Sequence, residues 1–238
     1  MDDTNYLPRD HVPTSSRPLL GMTILVVEDS RYASEAMRLM CVRSGARIRR
    51  ADCLASARRH LQVYRPTAMI VDLGLPDGSG LELIRDMSNA TPRVDVLLAT
   101  SGDLGLEQAA LEVGADGFLP KPVTKLAAFQ NLVLSFVDPE RRPMGPRLVD
   151  PTDIQPDSLA YRDDMVAMAE VLQKSKDVGT VAYVTQFLHG VALSANDDVL
   201  LNAVDELRAG TEAGQMLPGS ISRVSDLLRD RVVQRASL

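Results

Sequence analysis

Thr67-Ala68-Met69-Ile70-Val71-Asp72-Leu73-Gly74-Leu75-Pro76-Asp77-Gly78-Ser79-Gly80 is the stretch on which the fold turns. Its first five residues form an unbroken run of strand length without polar alternation, which suits a strand buried on both faces. A carboxylate ends the run, a Gly- and Pro-punctuated loop follows, and helical spacing sets in over Gly80–Met87. The same unit recurs on either side. Thr23–Val27, Ala46–Arg50, Val94–Ala99 and Gly117–Leu119 are further strand-like runs. They alternate with helical patterns over Arg31–Arg43, Leu54–Tyr64, Leu104–Val113 and Thr124–Phe136. Strands alternating with helices require right-handed crossovers, so residues 22–138 are expected to form an α/β domain with a doubly wound, five-stranded parallel sheet.

The flanking segments read differently. Residues 1–21, with Pro8, Pro13 and Pro18 among polar residues, show no periodicity and are expected to be a flexible tail. Residues 139–157 are a Pro-rich linker carrying Pro139, Pro143, Pro146, Pro151 and Pro156, none of which can sit inside a helix. From residue 158 to 238 the strand signal is gone. Met165, Met168 and Leu172 recur at helical spacing, followed by Val184, Phe187, Leu188 and Val191. Val199, Leu200, Ala203, Val204 and Leu207 make a third stripe, and Ile221, Val224, Leu227 and Leu228 a fourth. Four short amphipathic helices predict an all-α bundle.

Composition narrows the function classes. The 238 residues are 45% hydrophobic and 24% charged, with a mean hydropathy of −0.04, which is globular and unlike a disordered chain. Apolar runs such as Ile24–Val27 fall far short of the roughly 20 residues of a membrane span. Met1-Asp2-Asp3 is acidic where a signal peptide would be basic, so the expectation is a cytoplasmic protein without membrane contact. Cys41, Cys53 and three His give neither a disulfide framework nor a zinc spacing. The net charge of −6 divides into −1 up to Asp150 and −5 beyond it. An acidic C-terminal part counts against a nucleic-acid-binding face there.

In an open parallel sheet, ligands gather at the carboxyl ends of the strands. The first strand ends in Glu28-Asp29, the third in Asp72, the fourth in Thr100-Ser101, and Lys121-Pro122 follows the fifth. Three carboxylates thus converge, with a hydroxyl and an amine on the other side. Their mutual repulsion invites a hard divalent cation, and an all-oxygen donor set suits Mg²⁺. Asp72, between the acidic pair and the Thr/Lys side, is the best candidate nucleophile toward phosphorus.

Ile24–Ser30, Val71–Gly80, Ala99-Thr100-Ser101-Gly102 and Phe118-Leu119-Pro120-Lys121-Pro122, in this order and spacing, resemble the signature segments of a response-regulator receiver domain. The resemblance implies Asp72 as phosphoacceptor and Asp29 as direct Mg²⁺ ligand, with Glu28 acting through water and the Gly74 carbonyl completing the set. It implies that Thr100 and Lys121 contact the phosphoryl group, that Phe118 is a switch aromatic, and that the Lys121-Pro122 bond is cis. A bacterial two-component phosphorelay follows, with a histidine kinase or histidine-phosphotransfer protein as donor. The chemistry would be self-catalysed, so the chain is not read as an enzyme in the turnover sense.

The helical part is less definite. Gln186-Phe187-Leu188-His189-Gly190-Val191-Ala192, followed by Leu200 and Leu207, is similar in spacing to a histidine-phosphotransfer helix pair. That family has its phosphorylated His where this chain has Gln186, and usually Lys where it has His189; a Gln cannot carry the phosphoryl group. Three outcomes stay open: a phosphorylation-switched interaction module that binds a second copy as a homodimer or another signalling protein, without nucleic-acid binding; a transcription regulator with an atypical helical DNA-binding domain; or a phosphorelay intermediate or phosphate sink.

Overall fold

In the computed structural model, residues 12–147, 153–175, 177–212 and 218–234 are described. The N-terminal unit contains β1 (Thr23–Val27), β2 (Arg47–Ala51), β3 (Ala68–Asp72), β4 (Val96–Ser101) and β5 (Gly117–Pro120). All five strands pair in parallel in the order β2-β1-β3-β4-β5. Between them run α1 (Arg31–Arg43), α2 (Leu54–Val63), α3 (Gly80–Ser88) and α4 (Glu107–Glu112), and α5 (Leu126–Phe136) follows the last strand. The doubly wound fold is as the sequence pattern indicates.

Period-two alternation explains how one sheet carries two cores. Ile24 and Val26 of β1 and Ile70 of β3 join Met37, Met40 and Cys41 of α1 and Phe129 and Val133 of α5. Leu25 and Val27, with Met69 and Val71, join Leu54 of α2, Leu83 and Ile84 of α3 and Ala110 of α4 on the opposite face. Both faces are therefore apolar, and the central strands read as continuous hydrophobic runs.

Two boundaries differ from the sequence expectation. The segment taken as a flexible tail is anchored over its described part: Leu19 is wholly buried in the first core, and its N–H donates to the Ser44 carbonyl at 2.9 Å. The linker likewise does not hang free. Ile154 is buried in that same core, and its N–H donates to the Thr124 carbonyl at 2.8 Å. Burying each of these aliphatic side chains stabilises the attachment by about 1.5–3 kcal/mol, enough to outweigh the extended-coil tendency of the prolines. Residues 1–11 of the expected tail and 148–152 of the linker lie outside the described residues.

In the C-terminal part the described residues form α6 (Ser158–Lys174), α7 (Val178–Ala195), α8 (Asp198–Glu212) and α9 (Pro218–Gln234). Their stripes meet in a third core of Met165, Met168, Val184, Leu188, Leu200, Val204, Val224 and Leu228 among others. Asp197 accepts from the Leu200 N–H at 3.1 Å, capping α8, and pairs with Arg231 of α9 at 2.7 Å. By length and composition alone α7 could cross a membrane, but its apolar side chains Val184, Leu188 and Val191 are in this core.

Candidate functional site

The strand order places β1, β3, β4 and β5 side by side, so the residues at their carboxyl ends share one rim. Glu28 and Asp29 follow β1, Asp72 ends β3, Thr100 lies at the end of β4 beside Asp72 in register, and Lys121 follows β5. Carboxylate oxygens of Glu28, Asp29 and Asp72 all lie within 4.8 Å of one another. The Lys121 Nζ stands 2.8 Å from Asp72 Oδ2 and 2.7 Å from Glu28 Oε2, and all three side chains are buried. The Lys121-Pro122 bond is cis.

Two buried carboxylates and the half-buried Asp29 around one ammonium leave an excess of negative charge. Burial, reinforced by Asp72, pushes the Asp29 carboxyl up to about 7. Burial also raises Glu28 well above its ordinary range, with Lys121 opposing and the two aspartates adding to the rise. Lys121 is raised: burial works against its charge, but the adjacent Asp72 and Glu28 carboxylates outweigh it. The donor set is hard oxygen, compact and under-neutralised, and these residues fit a divalent cation of the Mg²⁺ type.

The remaining predicted residues sit nearby. Gly74 donates its N–H to Asp72 Oδ1 at 3.3 Å and pairs with Ser79 in a two-residue antiparallel ribbon. Glycine is required at Gly80, where a β-carbon would overlap the Asp72 carbonyl oxygen. The Thr100 hydroxyl donates to the Leu119 carbonyl at 2.7 Å. Phe118 is buried in the core that holds Ala99 and Ala110.

What the sequence did not disclose is that the helical domain roofs this site. Asp164 of α6, itself buried, accepts from Ser30 Oγ at 2.7 Å, Arg31 N–H at 2.9 Å and Tyr32 N–H at 3.0 Å. It adds a carboxylate to the positive end of α1, where the Ser30 hydroxyl already accepts from the Ala33 N–H. Tyr32 and Tyr161 meet edge to face with centroids 5.7 Å apart. Arg208 of α8 bonds Asp103 at 2.7 Å, and this bond holds the Asp103 carboxyl below its ordinary range.

One face of α7 supplies the roof. The Tyr183 hydroxyl donates to Asp29 Oδ2 at 2.8 Å. A β-carbon on Gly74 would overlap the Gln186 carboxamide, whose Cδ is 2.7 Å from that position. A β-carbon on Gly190 would lie 3.8 Å from Lys121 Nζ, and one on Gly102 3.2 Å from His189 Nδ1. A cavity of about 290 Å³ remains between α7 and the rim, lined by Asp72, Lys121, Gln186, His189 and Arg208 among others. The signal was present in outline: Tyr183, Gln186 and Gly190 share a face that the core stripe of α7 leaves out. A mid-helix glycine costs about 1 kcal/mol relative to Ala, and such a position often marks a close approach.

Residues 24–132 match the family model described as the response regulator receiver domain. Among curated proteins, the KDP operon transcriptional regulatory protein KdpE of Escherichia coli is 33% identical over 99 residues, 42% of this chain and 44% of that protein. Response regulator MprA of a Mycobacterium species is 31% identical over 132 residues, 54% of this chain and 57% of that protein. A solved structure of a putative response regulator from Chloroflexus aurantiacus covers 48% of this chain and 98% of that one, with 26% identity and a TM-score of 0.44. The N-terminal unit is a response regulator receiver domain. The chain spans about half the length of the curated relatives it matches. The family match ends at residue 132, before α6 begins.

Proposed function

We propose that Asp72 accepts a phosphoryl group from a histidine kinase or histidine-phosphotransfer protein, and that this switches the contacts of the helical domain. The observation that carries the proposal is the buried Lys121 ammonium 2.8 Å from Asp72 within a three-carboxylate cluster. An Asp72 oxygen attacks phosphorus, the P–N bond to the donor imidazole breaks, and Lys121 stabilises charge on the transferred group. Mg²⁺ held by Asp29, Asp72 and the Gly74 carbonyl, with Glu28 acting through water, would neutralise the phosphoryl oxygens. Thr100 gives up its bond to the Leu119 carbonyl to reach the phosphoryl group, and Phe118 shifts in response.

A protein donor must reach Asp72 from the side that α7 now covers, so transfer from it requires the helical domain to swing away. The domain is then free to bind another protein or a second copy of the chain. Its acidic balance supports a protein partner over nucleic acid, and a cytoplasmic setting fits a donor of this kind. The receiver-half similarity to a transcriptional regulatory protein favours DNA binding as the second reading. Salt-dependent duplex binding by the full chain would establish it.

The test is incorporation of labelled phosphate from acetyl phosphate and from a phosphorylated histidine kinase. Wild type takes up label and Asp72→Asn does not; equal labelling of Asp72→Asn overturns the assignment.

A further inference from the structure

The Gln186 side chain has a position that the switch alone does not use. It lies on the α7 face between Tyr183, which bonds Asp29, and Gly190, which abuts Lys121. Its carboxamide presses against Gly74, two residues from Asp72, and lines the same cavity as Asp72 and Lys121. Among the described residues it makes no hydrogen bond, and it is exposed to the solvent that enters the cavity. The cavity of about 290 Å³ has room for a phosphoryl group and several waters, each water taking about 30 Å³.

We propose that Gln186 positions the water that hydrolyses the aspartyl phosphate, so that the helical domain is an intramolecular phosphatase for its own receiver. This inference rests on Asp72 being the phosphoacceptor. In the hydrolytic step the water oxygen bonds to phosphorus opposite Asp72, and the bond between phosphorus and the Asp72 oxygen breaks. The Asp72 carboxylate is the leaving group, and a water proton passes to a phosphate oxygen as inorganic phosphate departs. No oxidant, reductant or further co-reactant is needed.

A carboxamide suits the task. Its oxygen accepts from the attacking water, its N–H₂ donates to that water or to a phosphoryl oxygen, and it adds no charge to an already acidic site. Two other polar α7 side chains line the cavity. Thr185 is buried and its hydroxyl donates to the Val181 carbonyl at 2.7 Å. The second is His189. It lies at the Gly102 side with Nε2 3.5 Å from Asp205 Oδ1, displaced from the Gly74 side of Asp72. The closed arrangement is then the one that ends the signal, and the open arrangement the one that transmits it.

The experiment labels the 238-residue chain with [³²P]acetyl phosphate and Mg²⁺, removes the donor, and follows loss of label. Gln186→Met keeps the length of the side chain and removes the amide; the expected label lifetime is about tenfold longer than wild type or more. Gln186→Asn is expected to fall between the two. Amide protection of Arg31 and Tyr32, which bond Asp164, reports whether α7 and α6 remain docked in each variant. An equal or shorter lifetime in docked Gln186→Met overturns the proposal and makes α7 a shield. Lengthening by His189→Ala but not by Gln186→Met overturns it in favour of the imidazole. Should Gln186→Met undock, Gln186→Asn with docking retained decides: a lifetime no longer than wild type overturns the proposal. Wild type that takes up no label at all removes the phosphoacceptor assignment, a failure distinct from the others.

Discussion

The Tyr183 hydroxyl donates a 2.8 Å hydrogen bond to Asp29 Oδ2, joining the helical domain to the acidic cluster of the receiver. Burial and the Asp29 charge both raise the Tyr183 phenol pKa, so the group stays a donor. The bond exists only while α7 is docked, and it occupies an oxygen that a bound cation would compete for. A hydrogen bond to a charged group contributes about 1.5–3 kcal/mol. Tyr183→Phe is therefore expected to speed labelling by acetyl phosphate by about tenfold, since 1.4 kcal/mol is a factor of ten. An unchanged labelling rate would show that this bond does not restrain the site.

Asp164 is the larger structural anchor. Its buried carboxylate receives three hydrogen bonds from the start of α1, although burial raises its pKa above the ordinary value. Asp164→Ala removes the acceptor of all three bonds, which costs about 1–3 kcal/mol. Hydrogen exchange at Arg31 and Tyr32 should accelerate, and the thermal midpoint should fall, while the labelling site on Asp72 is retained. Unaltered exchange at both amides would contradict the capping role.

The helical bundle has its own acid-sensitive joint. The Arg231 bond holds the Asp197 carboxyl at about 2, against an ordinary 3.8. A lowered folded-state pKa means the contribution is complete above about pH 4 and is lost as pH falls through 2. Wild type should therefore exceed Asp197→Asn in urea midpoint at pH 6, with the gap closing between pH 4 and pH 2. A gap of constant size across that range would show that the ion pair contributes nothing.

The receiver half was legible because its signals are local. Apolar runs such as Ile24–Val27 and carboxylates at strand ends are readable residue by residue, and parallel order follows from right-handed crossovers. Glu28, Asp29, Asp72, Thr100 and Lys121 were all found this way, and the fold brings them to one rim. The roof was not legible for the opposite reason. Asp164 and Ser30 are separated by 134 positions, and nothing in the spacing of either residue announces the other. The anchoring of Leu19 and Ile154 was missed similarly, because single apolar residues among prolines carry no period. For α7 the core stripe at Val184, Leu188 and Val191 is plain, whereas the Tyr183–Gln186–Gly190 face acquires meaning only once the receiver is beneath it.

The most direct measurement is hydrogen–deuterium exchange on the full chain with Mg²⁺, with and without beryllium fluoride as phosphoryl mimic, using Asp72→Asn as control. A site at Asp72 that governs its own roof predicts that the mimic exposes Arg31, Tyr32 and α7 in wild type and changes nothing in Asp72→Asn. Wild type that binds the mimic yet keeps full protection at Arg31, Tyr32 and α7 would contradict the coupling between Asp72 and the helical domain.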